Sequence, residues 1–224
     1  MSVREKFDAW AADGRDRGME ERHWHTAKEA LSRMPVEDGD AVLDLGTGSG
    51  YALRALRERS IGRGYGIDAS VEMVTNAAGY TEDSSIAFLR GDFESLPFES
   101  NSLDHAFSME AIYYADIDSV LTELKRVLRP RGTFYCAVDF YEENVHSHEW
   151  EAFIEVPMSR LSRDEYRQAF ERAGLHVAAQ DNIPDREVEI PPAEEFPTES
   201  FDTRAAMVER YRTYGTLLTV GVVP

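Results

Sequence analysis

A glycine-rich turn, set between an apolar run and an amphipathic segment, constrains this chain more than any other feature. Residues 41–45 are apolar apart from Asp44, and Gly46, Gly48 and Gly50 follow at every second position. Glycine permits a positive φ and lets another group approach the backbone without meeting a Cβ atom. Residues 51–59 then have the pattern of an amphipathic helix. The stretch predicts a buried strand, a tight turn and a helix N-terminus with free N–H groups.

The charge of the chain argues against one class of substrate. The 224 residues carry 42 acidic and 24 basic side chains, a net charge of −18, and only three of the bases are lysines. Such a surface repels the phosphates of DNA and RNA, so we expect no nucleic-acid substrate. The acids are scattered along the chain, and scattered acids with scarce lysine are typical of proteins from a high-salt cytoplasm. We therefore predict a halophilic source.

Targeting signals and cysteine usage point to a cytoplasmic protein. No apolar run approaches the roughly 18 residues of a transmembrane helix, and the N-terminal segment lacks the apolar region of a signal peptide. The single cysteine, Cys136, lies in an apolar run, which predicts a buried thiol without an internal disulfide. We expect a partner that is a small molecule and no membrane span; monomer and homodimer both remain open.

Predicted strands and helices alternate through the first two thirds of the chain. Residues 1–34 predict two helices, and strands are predicted at 41–45, 64–68, 86–90, 103–109 and 133–138, with helices at 51–59, 71–78 and 116–128. This alternation is typical of a parallel sheet with right-handed crossovers. The C-terminal third predicts a helix at 162–174, a strand at 175–179, a loop at 181–200, a helix at 203–211 and a β-branched strand at 216–222. No helix-length segment connects that last strand to a sheet edge, so we expect it to insert antiparallel.

Asp68 closes the second predicted strand, twenty residues after Gly48. That spacing places a carboxylate beside the glycine turn, where it can accept both hydroxyls of a ribose. The alternative is an acid that caps the following helix. A dinucleotide fingerprint requires GxGxxG, but Tyr51 occupies the position of the third glycine. A nicotinamide cofactor is therefore the weaker hypothesis.

Five motifs in order make the chain resemble the class I S-adenosylmethionine-dependent methyltransferases. The motifs are DLGTGSG at 44–50, GID at 66–68, GDFESLPF at 91–98, LDHAFS at 103–108 and LRPRGTF at 128–134. The resemblance covers residues 38–140, and the LPF segment is similar to that of ubiquinone- and menaquinone-type small-molecule enzymes. Arg131 departs from the pattern, because relatives often have glycine there.

The resemblance implies the fold, the cofactor and its binding residues. The fold class is α/β, a Rossmann-like doubly wound seven-stranded sheet, mostly parallel with an antiparallel last strand. The cofactor is S-adenosyl-L-methionine, with the ribose expected at Asp68, the adenine at Asp92 and the methionine end near Ser108. The implied cofactor-binding residues are Asp44, Gly46, Thr47, Gly48, Gly50, Asp68, Ala69, Asp92, Phe93 and Ser108.

Candidate catalytic residues follow the fourth and fifth strands, where α/β sheets bind ligands. Glu110 is a candidate base or partner for a cationic group, and Tyr113 a candidate pocket wall; a solvated acid and simple packing are the alternatives. His146 and His148 follow the fifth strand and are candidates for a base or a substrate contact. Residues at i and i+2 do not share a helix face, so we predict no metal site from this pair.

These features predict an S-adenosylmethionine-dependent methyltransferase that acts on a small molecule by direct in-line displacement. Alternatives are a quinone- or lipid-like ring C-methyltransferase, a non-catalytic module that binds the cofactor, or a nicotinamide oxidoreductase. We expect a single domain over residues 1–224. Within it we predict a helical cap at 1–34, a cofactor-binding core at 38–140, and substrate-side lid insertions at 141–161 and 181–212.

Overall fold

A computed structural model describes residues 1–198 and 200–224. The strands form one seven-stranded sheet in the order β3-β2-β1-β4-β5-β7-β6. They are β1 (Ala41–Leu45), β2 (Arg63–Asp68), β3 (Ile86–Arg90), β4 (Leu103–Met109), β5 (Leu128–Val138), β6 (His176–Ile183) and β7 (Thr216–Val222). Pairs from β3 to β5 are parallel, whereas β7 runs antiparallel to both β5 and β6. The predicted fold class is confirmed, including the antiparallel last strand.

Helices cover both faces of this sheet. They are α1 (Val3–Ala12), α2 (Arg15–Ser32), α3 (Tyr51–Arg57), α4 (Val71–Gly79), α5 (Ile117–Val127), α6 (Trp150–Ile154), α7 (Arg163–Arg172) and α8 (Arg204–Val208). Ser2 and Ser162 each form a capping box, at α1 and α7, which satisfies free N–H groups of the first helical turn. Gly14, at φ 71°, separates α1 from α2, so the predicted break in the N-terminal helices is confirmed.

The alternation of apolar side chains divides the core into two layers. Leu43 of β1 and Phe134 of β5 belong to a cluster with α5 and α7. Val42 and Tyr135, their neighbours along the strands, belong to a second cluster with α2 and α3. Successive strand residues point to opposite faces, so each strand contributes to both layers. Burial on both faces fixes the sheet and presents its carboxyl edge to a single side of the molecule.

Tertiary contacts move three predicted boundaries. Strand β5 begins at Leu128, not at residue 133, because its first residues pair with β4 across a register shift. Strand β6 continues to Ile183 because it pairs with β7 as far as Thr216. The predicted lid insertion at 181–212 therefore begins inside a strand. The predicted helix at 203–211 is α8 followed by a π-helix, Glu209–Tyr214, which ends where the Gly215 N–H donates to the Arg210 carbonyl.

None of the helices in residues 1–198 and 200–224 has the length and apolarity needed to cross a membrane.

Candidate functional site

The glycine turn after β1 is held in shape by backbone bonds to β2. Gly46, Gly48 and Gly50 have φ values of 73°, 50° and 80°. The N–H groups of Gly46 and Thr47 both donate to the Ile67 carbonyl, at 2.8 and 3.0 Å. Since all three glycines are left-handed, a side chain at any of them would be strained. Packing also excludes a side chain at Gly50, because a Cβ there would lie 2.6 Å from the Phe88 ring.

Two acids stabilise the turn, the buried Asp44 from behind and the half-buried Asp68 from the side. Asp44 accepts a hydrogen bond from the Thr47 hydroxyl at 2.7 Å, and burial raises the pKa of Asp44 to about 7. Asp68 accepts from the Gly48 N–H and from the Ser70 N–H, both at 3.0 Å. Burial raises the pKa of Asp68 to about 6, against the opposing effect of these backbone donors. Asp68 thus links the turn to the start of α4.

A cavity of about 660 Å³ opens over the turn and extends towards the end of β4. Of the predicted cofactor residues, those that line it are Gly46, Thr47, Gly48, Asp68, Ala69, Asp92 and Phe93. The other three lie outside its lining. Asp44 bonds to Thr47 from below, Gly50 packs against Phe88, and the Ser108 hydroxyl donates to the Leu45 carbonyl at 3.0 Å. These three support the wall that the others form.

Helix α2, which lies in the predicted helical cap at 1–34, forms a wall of the cavity through residues that were not among the predicted site residues. Asp16, Met19, Glu20 and His23 line the cavity from one face of this helix. The Glu20 carboxylate accepts from the Ser49 hydroxyl at 2.7 Å and from the Arg54 guanidinium at 3.1 Å. Helix α2 is therefore tied directly to the glycine turn. Their spacing in the sequence, i, i+3, i+4, i+7, could have indicated this wall, because it places the four residues on one face of a helix.

Glu110 lines the cavity in a strained conformation. It follows β4 with φ 54° and is buried; positive φ at a non-glycine residue costs on the order of 1–3 kcal/mol. Its carboxyl group accepts from the Tyr113 hydroxyl at 2.9 Å and from the Asp139 N–H. Burial raises the pKa of Glu110 well above its ordinary value, and the charge of Asp139 adds to the effect. Glu110 therefore joins the carboxyl ends of β4 and β5.

A largely buried ion pair lies next to Glu110, outside the lining of the cavity. Arg210 is 4% exposed and donates to the Asp139 carboxylate, which also accepts from the Thr216 hydroxyl at 2.5 Å. The guanidinium lies over the Trp150 ring, 5.4 Å from its centroid. The sequence analysis did not identify this pair, because its members are 71 residues apart and carry no local pattern.

Tyr113 and two of the histidines do not reach the cavity. Tyr113 is buried between the rings of Tyr114 and Phe140, with centroids 4.6 and 5.5 Å away. His146 Nε2 lies 3.0 Å from the Glu209 carboxylate, and His148 Nε2 lies 2.8 Å from the Glu142 carbonyl oxygen. The cavity lining includes Tyr114 in place of Tyr113, and His23 in place of the predicted histidines. The expectation that His146 and His148 face the ligand site is not met by their positions.

Residues 1–198 and 200–224 contain no group of three or more side chains placed to hold a metal ion.

A parallel sheet whose glycine turn is bonded to an acid at the end of the next strand defines a Rossmann-like protein that binds a nucleoside cofactor. The profile of the family described as "Methyltransferase domain" matches residues 43–136. The whole chain is 65% identical to a chain in the solved "Complex between the Haloferax volcanii Trm112 methyltransferase activator and the putative methyltransferase", with a TM-score of 0.97 and 100% of both chains covered. The protein belongs to the S-adenosylmethionine-dependent methyltransferase family.

More distant relatives match most of this chain in sequence or in fold. Sterol 24-C-methyltransferase ERG6 of Saccharomyces cerevisiae is 28% identical over 170 residues, which are 70% of this chain and 44% of that protein. The 24-methylenesterol C-methyltransferase 2 of Arabidopsis thaliana is 27% identical over 87% of this chain and 56% of its own length. The chain thus spans about half the length of these curated relatives. Geranyl diphosphate C-methyltransferase from Streptomyces coelicolor A3(2) has a TM-score of 0.70 at 17% identity, covering 89% of this chain and 78% of its own, which shows the common fold.

S-adenosylmethionine is the cofactor of this family, and the residues of the cavity fit it. Asp68 presents a carboxylate beside the turn, and a Cβ added at Gly48 would meet no atom within 4 Å. The backbone of the turn is therefore accessible at Gly48, next to a carboxylate that can accept hydrogen bonds from ribose hydroxyls. Asp92 and Phe93 line the cavity at the end of β3.

Proposed function

We propose that this protein transfers a methyl group from S-adenosylmethionine to a small-molecule acceptor by direct in-line displacement. The observation that carries the proposal is one continuous cavity, which runs from Asp68 and Gly48 to Glu110 beneath α1 and α2. A cofactor seated on the turn and an acceptor near Glu110 would share this one cavity. When bound, the cofactor supplies a sulfonium with a transferable methyl group.

Seven residues hold the cofactor in this proposal. Asp68 accepts the ribose hydroxyls, and Asp92 and Phe93 receive the adenine. The backbone of Gly46, Thr47 and Gly48 faces the methionine part, with Ala69 beside the ribose. Asp44, Gly50 and Ser108 act through the turn and not by contact, because each of them bonds or packs within the protein.

The acceptor side is mainly apolar and can be shielded from water. Phe7 of α1 packs edge-on against Tyr114, with ring centroids 5.2 Å apart, and both residues line the cavity. Met19 and Met109 line the same space. Apolar walls and a covering pair of helices exclude water and align an acceptor with the methyl group, which is the main task of such an enzyme. Glu110 orients this end through its bonds to β5, and of the four predicted catalytic residues it is the one that lines the cavity.

The alternatives are less well supported. A nicotinamide oxidoreductase is disfavoured because Tyr51 replaces the third glycine of the dinucleotide turn. A non-catalytic module is disfavoured because the turn and its ribose acid are intact. A quinone- or lipid-like ring carbon agrees with the apolar walls and with relatives named as sterol C-methyltransferases, and it is the alternative class of acceptor. We also propose that residues 1–34 form a helical cap, that residues 38–140 form the cofactor-binding core, and that the segments within 141–161 and 181–212 form the lid on the substrate side.

An activator protein is the second partner that we propose. The 65%-identical chain was solved in a complex with the Trm112 methyltransferase activator. A Trm112-type protein is therefore a candidate partner here, in addition to the small molecule. Co-expression with a Trm112 homologue tests this: we expect one complex in gel filtration, and separate elution would contradict it. The predicted cytoplasmic location remains a prediction.

Calorimetry tests the cofactor assignment directly. We expect S-adenosylhomocysteine to bind the wild-type protein and NAD not to bind. Asp68→Asn keeps the size of the side chain and removes its charge, so it should weaken binding of S-adenosylhomocysteine. The exposed Asp118, which pairs with Arg172 at 2.8 Å, supplies the matched control Asp118→Asn, which should bind as the wild type does. Binding of NAD alone would overturn the proposed function.

A further inference from the structure

His23 is a polar group of the cavity that no contact of the fold explains. Its ring lines the cavity from α2 and is half-buried. Across the described parts of the chain, neither ring nitrogen is hydrogen-bonded to another protein group, whereas its neighbour Glu20 is bonded to both Ser49 and Arg54. Packing alone does not require an imidazole there. A histidine with two free nitrogens in a ligand cavity is available to the ligand.

The surroundings of His23 keep its ring uncharged. Burial lowers the pKa of His23 to about 4, and the cations Arg22 and Arg210 act in the same direction, while Asp139 opposes them. The other ionisable groups that line this part of the cavity are Glu20, Tyr51 and Glu110. At neutral pH the imidazole therefore has one nitrogen that carries a proton and one that accepts.

Glu110 is less suited to accept a proton from a ligand. One carboxyl oxygen accepts from the Tyr113 hydroxyl and the other from the Asp139 N–H. These bonds use the group to hold two strand ends together. His23 lines the same cavity, and its own nitrogens are not committed to the fold. Of these two groups, the imidazole of His23 is therefore the one that is free to accept a proton from a ligand.

We propose that His23 is the proton acceptor of the methyl-transfer step and that the methylated group is an uncharged hydroxyl or amine on a mainly apolar molecule. The oxygen or nitrogen of the acceptor forms a bond to the methyl carbon. The bond from that carbon to the cofactor sulfur breaks, and its electron pair stays on sulfur. The proton passes from the acceptor to the free nitrogen of His23 and then to water.

Charge around the cavity narrows the acceptor class. The acidic side chains that line it are Asp16, Glu20, Asp68, Asp92, Glu94 and Glu110, and the two arginines are Arg4 and Arg90. This excess of acid disfavours an anionic acceptor such as a phosphate or diphosphate. A neutral hydroxyl or amine agrees with this charge and carries the proton that His23 accepts.

The proposal rests on the proposed function, and two measurements separate them. In the first, nuclear magnetic resonance follows ¹⁵N-labelled histidine in the S-adenosylhomocysteine complex between pH 4 and 8. The His23 signal is assigned by its loss in His23→Gln. We expect the ring of His23 to be neutral at pH 7, where transfer is measured, whereas a ring that carries a charge at that pH would overturn the proposal, because an imidazolium has no nitrogen free to accept a proton.

The second measurement follows tritium transfer from methyl-labelled S-adenosylmethionine to a small-molecule extract of the source cells, split into neutral, basic and acidic fractions. We expect transfer to the neutral or basic fraction and a fall in kcat/KM of about 10²–10⁴-fold in His23→Gln. The control His25→Gln changes a histidine of the same helix whose Nδ1 lies 2.6 Å from Glu187, and it should behave as the wild type. Binding of S-adenosylhomocysteine should be unchanged in both variants.

Rescue distinguishes a proton acceptor from a packing residue. His23→Ala leaves space for an imidazole, and added imidazole should restore transfer in that variant but not in one damaged elsewhere. Transfer by His23→Gln within threefold of wild type, or methylation of the acidic fraction alone, would overturn the role of His23. No transfer by the wild type to any fraction would contradict the proposed function, and this role with it.

Discussion

The glycine turn allows one prediction to be worked through in full, because alanine would be strained at two of its glycines but would overlap a neighbour at only one of them. Gly46→Ala and Gly48→Ala both place alanine at a positive φ, 73° and 50°. That conformation costs about 1–2 kcal/mol per residue. A Cβ introduced at Gly46 would also overlap the Cβ of Ala111, whereas one introduced at Gly48 would meet nothing within 4 Å. The pair therefore separates backbone strain from overlap.

The overlap gives Gly46→Ala the larger loss of stability. Overpacking in a well-packed region costs typically about 1–3 kcal/mol, so the total for Gly46→Ala is about 2–5 kcal/mol. Ala111 is buried and its own backbone continues from β4, so it cannot turn away as a long side chain would. Gly48→Ala should lose only the backbone cost of about 1–2 kcal/mol. Its methyl group would stand at the wall of the cavity, so its main effect should be weaker binding of S-adenosylhomocysteine, by tenfold or more.

Urea unfolding in concentrated KCl, followed by circular dichroism, measures the first effect, and calorimetry measures the second. We expect Gly46→Ala to have much the lower unfolding midpoint. We expect Gly48→Ala to stay more stable but to bind S-adenosylhomocysteine more weakly than the wild type does. Equal losses of stability in the two variants would refute the argument from overlap. Normal affinity in Gly48→Ala would refute the position of the cofactor over the turn.

Further predictions concern the ion pair, the ribose acid, pH and salt. Arg210→Met leaves Asp139 buried without its cation, so urea unfolding should show a loss of about 3–5 kcal/mol; the exposed Arg160→Met should lose less than about 1 kcal/mol. Asp68→Ala should weaken binding of S-adenosylhomocysteine at least tenfold in calorimetry, and unchanged affinity would remove Asp68 from the ribose. The folded pKa of His23, about 4, lies below the unfolded value of about 6.5, so stability should fall as pH decreases from about 6.5 towards 4. His23→Gln should remove this component from the pH profile, and an identical profile would contradict it. Added KCl should raise the unfolding free energy, because salt screens the net charge of −18; full stability at low salt would contradict the predicted halophilic source.

Local patterns were sufficient for the strands and for the cofactor edge. The strand that ends at Asp68 and the turn from Gly46 to Gly50 are fixed by residues close together in the chain, so spacing alone identified them. The antiparallel β7 was also predictable, because no crossover helix precedes it. The end of β6 was not, since residues 180–183 are held in a strand by their partner β7 and not by their own sequence.

The acceptor side depends on contacts between distant segments, so local patterns predicted it less well. His146 and His148 were prominent as a pair, but Glu209 and the Glu142 carbonyl hold them outside the cavity. His23 and His25 form a similar pair in the sequence, but only the docking of α2 on the sheet shows that His23 lines the cavity. Arg210 likewise became visible only when the π-helix brought it to the end of β5.

The position of β7 sets an order in which the sheet can be completed during synthesis. It lies between β5 and β6, yet it follows both along the chain. Until residues 216–222 have left the ribosome, β5 has an unpaired edge and β6 has no neighbour to join. The half-sheet from β3 to β5, which carries the cofactor turn, can form first, with an open strand that attracts other chains. Arrival of the last strand therefore both closes that edge and attaches β6, so the final step of folding also ends the period of greatest risk of aggregation.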